Sequence, residues 1–222
     1  MMPPLNLATQ LLHVLAAGLL MISFAMLAQR RTRRLIVLLA WQGVVLTAST
    51  LLVAVTAHLQ HLYYSAALTL IEKVWLMPWI LLRLMRRLGI EGDSDPLVNI
   101  PTLMLVGLGL VIFAFGLAQP ISSLATTVTR QTLGIAMAVI LLAFLMMIAR
   151  HKAVTQVIGF LAMENGLFFA ANSTTYGMPM VIELGIALDL LVGVFIFGIF
   201  FFQIREQFDS LDLHQLEALK ED

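Results

Sequence analysis

The sequence predicts an all-α integral membrane protein: seven transmembrane helices, arranged as two parallel three-helix repeats joined by a linker helix, with the N-terminus outside and the C-terminus in the cytoplasm. Three observations predict it. Hydrophobic residues fill 60% of the 222 positions and charged residues 12%, with a mean hydropathy of +0.96, outside the range of an ordinary soluble domain. Apolar stretches that match a hydrocarbon core of about 30 Å, which takes about 20 helical residues, recur seven times. Eleven of the 13 Lys and Arg residues fall in connecting segments that lie on one side if the spans alternate.

The spans are expected at about 5–28, 35–57, 62–84, 99–118, 132–149, 154–173 and 180–203. The first has no basic residue ahead of it and is followed by Arg30, Arg31, Arg33 and Arg34, so it reads as an uncleaved anchor rather than a signal peptide. Further basic residues follow the third span (Arg83, Arg86, Arg87), the fifth (Arg150, Lys152) and the seventh (Arg205, Lys220). Positively charged loops stay in the cytoplasm, which fixes the expected orientation. Arg130 is the exception, in a polar outer loop at 119–131. Residues 89–96 read as an inner turn, with Asn99 and Pro101 suited to start the fourth span. The tail, 206–222, places Leu213, Leu216 and Leu219 at helical spacing and is expected either to dock as a short amphipathic helix or to be solvated.

Leu39-Ala40-Trp41-Gln42-Gly43 in span two lies over Leu161-Ala162-Met163-Glu164-Asn165 in span six. In the same register Lys73 of span three lies over Asp189 of span seven. Three helices, a linker and three helices leave both units with the same membrane orientation. Repeat one is then about 5–87, the linker 99–118 and repeat two 132–205.

Glu164 and Asp189 sit in the middle of apolar spans, where a carboxylate is costly unless it is paired, protonated or hydrated. Proton or ion handling is therefore the default reading, against a purely structural one. At about 100° per residue, Gly159, Ala162 and Gly166 share one face of span six and Glu164 points away from it, beside Asn165 as a potential hydrogen-bond partner. Gly185, Asp189 and Gly193 share a face of span seven, with Glu183 about 9 Å nearer the outside. Lys73 is a basic residue well inside a span, open to pairing with Glu72, Glu164 or Asp189. Pro78, which cannot donate a backbone hydrogen bond, predicts a kink or opening one turn away.

Other chemistry finds little support. Zero cysteines exclude disulfides, thiolate zinc sites, cysteine nucleophiles and iron–sulfur clusters. His58 and His61 lie one turn apart at an outer boundary and read as solvated, His13 as packed, and no two histidines are placed to hold a haem. No cofactor or metal is expected, and no catalytic motif is visible.

Met163-Glu164-Asn165-Gly166, the stretch from Glu183 to Asp189, Lys73-Val74 with Pro78, and Leu211-Asp212-Leu213 with Leu216-Glu217-Ala218-Leu219-Lys220 together resemble the hydrogenase-4 component E family, most strongly from residue 150 onward. That resemblance implies a membrane subunit of a complex I-related assembly, with C-terminal helices similar to the K-type subunit of complex I and to the C subunit of multisubunit cation/proton antiporters. By position Glu164 matches the first central glutamate of the K-type subunit and Asp189 the second, one methylene shorter. The resemblance implies a non-redox subunit, itself no enzyme, whose Glu164, Asp189, Lys73, Glu183 and Glu72 join a proton-translocation pathway. Antiporter-like and other membrane subunits and lipid are the expected partners, nucleic acid is not, and a bacterial inner membrane is the expected location. A free-standing cation/proton antiporter component and a structural spacer of the membrane arm are the alternatives.

Overall fold

The computed structural model describes residues 7–57, 60–87, 96, 98–122, 127–175 and 193. The chain divides into two compact units, Met1–Ile182 and Glu183–Asp222. Of the second, Gly193 alone is described, and it is helical. Glu183, Asp189, the seventh span and the tail therefore lie outside the described residues.

Among the described residues the elements are all helices: α1 Leu7–Ala28, α2 Thr32–Ala57, α3 Gln60–Thr69, a π-helical segment Leu70–Leu76, α4 Met77–Arg87, α5 Ile100–Ser122, α6 Thr127–Ile148 and α7 Ala153–Thr175. A chain in hydrocarbon must satisfy its backbone internally, so even a β-branched run such as α2 winds into a helix. Its hydroxyls do the same: Thr47, Thr50 and Thr56 donate to carbonyls one turn back, at 2.8–3.0 Å. Five stretches are long and apolar enough to cross a membrane: Leu7–Ala28, Thr32–Thr56, Leu62–Arg83, Ile100–Pro120 and Val154–Ser173. A shorter apolar stretch, Thr132–Ile148, lies within α6. The protein is thus an all-helical, multipass membrane protein over its described length.

Short connections make neighbours antiparallel. Between α1 and α2 the Gln29 side-chain oxygen accepts the backbone N–H groups of Arg30 and Arg31 at 3.1 and 3.4 Å. Between α6 and α7, Thr155 Oγ1 donates to the Lys152 carbonyl at 2.7 Å and Gln156 Nε2 to the Arg150 carbonyl at 3.1 Å. The core is a four-helix arrangement in which α1 packs on α2 and α6, and α7 packs on α2 and α6. α5 flanks α1 and α6, while the α3–π–α4 rod flanks α2. Of the five spans α7 is the most enclosed and α5 the least, and α5 leaves Leu105, Leu108, Ile112 and Phe113 exposed as a lipid face does.

One detail gives form to the opening expected beside Pro78, and another differs from the sequence expectation. The third span is not one regular helix: Met77 N–H donates to the Glu72 carbonyl five residues back, so the turn ahead of Pro78 is widened. Pro78 has no N–H to offer its own preceding turn, which removes the bond that would hold that turn in α geometry. Arg150, expected as a cytoplasmic boundary cation, is fully buried. Its Nη2 donates to the carbonyls of Met26 at 3.3 Å, Leu27 at 3.4 Å and Gln29. A guanidinium here satisfies the orphan carbonyls at the end of α1 and meets the negative end of its dipole.

Candidate functional site

The rotation of α7 decides what Glu164 meets. Gly159 and Gly166 lie against α6 so tightly that a Cβ at Gly159 would sit 2.6 Å from Met147 Cγ, and one at Gly166 3.0 Å from Ile140 Cγ1. With that seam committed to α6, Glu164 faces away from it, as its helical position requires. It meets the π-helical segment: Lys73 Nζ lies 3.7 Å from Glu164 Oε2, with side chains 6% and 4% exposed. Gly43 of α2 makes room for this, since a Cβ there would lie 3.0 Å from Lys73 Cβ and 3.1 Å from the Lys73 carbonyl oxygen. Pro78 and Gly43 together thus bring the lysine backbone against α2 and its ammonium to α7.

A hydrogen-bond chain crosses the bundle beside this pair. Asn165 Nδ2 donates to Gln42 Oε1 at 3.3 Å, Gln42 Nε2 to Ser23 Oγ at 2.9 Å, and Ser23 Oγ to the Leu19 carbonyl at 2.9 Å. All three polar side chains are buried. A small cavity of about 10 Å³ adjoins it, lined by Ser23, Gln42, Ala162 and apolar residues of α1 and α6. A second rung lies two turns on: Asn172 Nδ2 donates to Thr50 Oγ1 at 3.3 Å, and Thr50 Oγ1 to the Leu46 carbonyl at 3.0 Å. Partners that advance together from 42 and 165 to 50 and 172 show that α2 and α7 run parallel.

Of the sequence-predicted site residues, the structure brings Glu164 and Lys73 together and leaves Glu72, next in the chain, half-buried. Glu183 and Asp189 fall outside the described residues. Asn165, expected beside Glu164, is engaged with Gln42. Ser23, Thr50, Asn172 and the buried Arg150 were not singled out from sequence, and a lone hydroxyl or amide in an apolar helix carries no signal of its cross-helix partner. Among the described residues no three His, Cys, Asp or Glu side chains converge as a metal would need.

A buried ammonium and carboxylate 3.7 Å apart hold two opposite charges together where water is largely excluded. That is the chemistry this arrangement offers. No family model and no solved structure matches the chain. The uncharacterized protein Rv0085 of Mycobacterium tuberculosis is 33% identical over 207 residues, 93% of this chain and 94% of that protein. The chain belongs to the family of that mycobacterial protein. It is also similar to hydrogenase-4 component E of Escherichia coli K12 and of Shigella flexneri, 26% identical over 161 residues, 72% of this chain and 74% of those proteins.

Proposed function

We propose that the protein is a non-redox membrane subunit of a complex I-related oxidoreductase of the group 4 hydrogenase type, and that its buried ionisable residues carry part of a proton-translocation pathway. The observation that carries this reading is the Lys73–Glu164 pair, 3.7 Å apart and enclosed between apolar spans. An ion pair in such a place is no better for stability than apolar packing, so a working role accounts for it more readily. The likeness to hydrogenase-4 component E supplies the kind of assembly.

In this reading a proton arriving on Glu164 cancels its charge and weakens the hold on the Lys73 ammonium, which favours release of the lysine proton onward. Transfer of the Glu164 proton to Lys73 then restores the pair, so that one proton has entered at Glu164 and one has left from Lys73. Glu72, Glu183 and Asp189 are the further stations along the chain, and antiporter-like subunits receive the charge laterally. The protein forms no bond with substrate and holds no redox centre. The two-repeat architecture, seven spans and an outside N-terminus in a bacterial inner membrane belong to the same proposal. The parallel course of α2 and α7 supports the repeat relationship.

The test is Glu164→Gln in the native host. Inverted membrane vesicles with the variant complex assembled at its normal level take up fewer protons per turnover. Normal uptake overturns the proposal, and normal uptake with poor assembly favours the spacer role.

A further inference from the structure

The two amide rungs between α2 and α7 have a shared peculiarity. Ser23 Oγ gives its hydrogen to the Leu19 carbonyl, so it accepts from Gln42 Nε2, which leaves Gln42 Oε1 to accept from Asn165 Nδ2. Thr50 Oγ1 gives its hydrogen to the Leu46 carbonyl, so it accepts from Asn172 Nδ2. The hydroxyls, tied to backbone, thereby set the orientation of every amide in the seam. In each rung the same atom is left over: Asn165 Oδ1 and Asn172 Oδ1 are buried acceptors with no hydrogen-bond partner among the described residues. The asparagines are 1% and 4% exposed.

Two unpaired amide oxygens on one helix, seven positions and about 10 Å apart, call for small hydrogen-bond donors between them. Water meets that need in protein interiors, bridging polar groups that have no other partner. A cavity of about 10 Å³ at Ser23 and Gln42, near the size of one such molecule, lies on the α1 and α6 side of the lower rung and is lined by neither asparagine. The lower rung adjoins Glu164 in the chain, and the upper one lies two turns nearer the C-terminal ends of α2 and α7.

We propose that water occupies the α2–α7 seam at Asn165 Oδ1 and Asn172 Oδ1, and that this hydrated seam is the route by which Glu164 exchanges protons with the membrane face at which α2 and α7 end. The route rests on the proton-relay reading above; the hydration does not. A carboxyl adjoining a water file transfers its proton by hops along hydrogen bonds, with Thr50 and the amides holding the file in place and apolar neighbours keeping it narrow.

The chain has no cysteine, so single-cysteine variants report without background. Vesicles bearing the intact assembly with Thr50→Cys or Asn172→Cys are exposed to silver ion, which is close to water in size. The thiols left are then counted with a maleimide after denaturation. Both positions lose most of their thiol titre, whereas Val139→Cys in the α6 core and Ile112→Cys on the exposed face of α5 keep theirs. Thr50→Cys, the smaller change, carries the test if Asn172→Cys does not assemble. Titres at Thr50→Cys as protected as at Val139→Cys overturn the hydration. For the route, Thr50→Val with Asn172→Leu lowers proton uptake at least tenfold with assembly intact, and unchanged uptake overturns it. A dry seam with uptake lost in Glu164→Gln leaves the relay standing and removes this inference. A wet seam with full uptake in Glu164→Gln leaves the hydration standing and removes the relay and the route with it.

Discussion

Gly43 lies directly against Lys73: a Cβ at Gly43 would come within 3.0 Å of Lys73 Cβ and 3.1 Å of both the carbonyl carbon and oxygen of Lys73. Two of those three atoms are backbone, so the neighbour has no rotamer with which to yield. Gly43→Ala therefore pushes the π-helical segment off α2 and costs about 1–3 kcal/mol, with Gly43→Val worse. Denaturant titration in mixed micelles checks it. Unchanged stability in both variants would show that the segment moves freely, and the positioning of Lys73 by α2 would fall.

The Lys73–Glu164 pair makes a signed prediction. Lys73→Met takes away the ammonium 3.7 Å from the buried Glu164 carboxylate, and breaking a buried pair this way costs about 3–5 kcal/mol. Glu164→Gln in the same chain removes the buried charge as well and recovers most of that loss, because paired removal replaces ions with groups that need less solvation. A double-mutant cycle on unfolding free energy reads the coupling directly. Additive losses would mean that the two side chains do not share their charge.

Much of this site was legible in the residues. Glu164 and Lys73 stand out because charge is rare in apolar spans, and their possible meeting followed, although Glu72 and Asp189 were equally open partners for the lysine. The Gly159, Ala162, Gly166 face was read correctly as the seam that turns Glu164 away, and it packs on α6. Pro78 announced a break but not its π register, which depends on how Lys73 settles against Gly43. Ser23, Thr50 and Asn172 gave no warning, since small polar residues in membrane helices commonly bond their own backbone and nothing local says which neighbour they reach. Arg150 misled for a different reason: the rule that places arginines in cytoplasmic loops says where the backbone ends, not where a long side chain folds back to.

That fold-back makes Arg150 a fastener between α1 and the α6–α7 turn. Arg150→Met strips the donors from the Met26, Leu27 and Gln29 carbonyls and costs about 1.5–3 kcal/mol, as loss of hydrogen bonds to a charged group does. Arg150→Lys keeps the charge at the end of α1 but not the planar fork, so it falls between. Hydrogen–deuterium exchange of the turn joining α1 to α2 rises in the same order. Equal exchange in all three proteins would mean that other groups hold this end of α1.

Gly159 offers the sharpest test of the α6–α7 packing. Its missing Cβ would lie 2.6 Å from Met147 Cγ, a flexible side chain, and 3.4 Å from the Ala143 carbonyl oxygen, which is not flexible. Gly159→Ala thus forces Met147 to rotate away and costs about 1–3 kcal/mol. In the parent protein Met147→Ala opens a void and costs about 2–5 kcal/mol. In the Gly159→Ala background the same change removes the clash, so its cost shrinks and the two losses are less than additive. Thermal unfolding of the four proteins measures this. Strict additivity would place Gly159 and Met147 out of contact, and with them the rotation of α7 that aims Glu164 at Lys73.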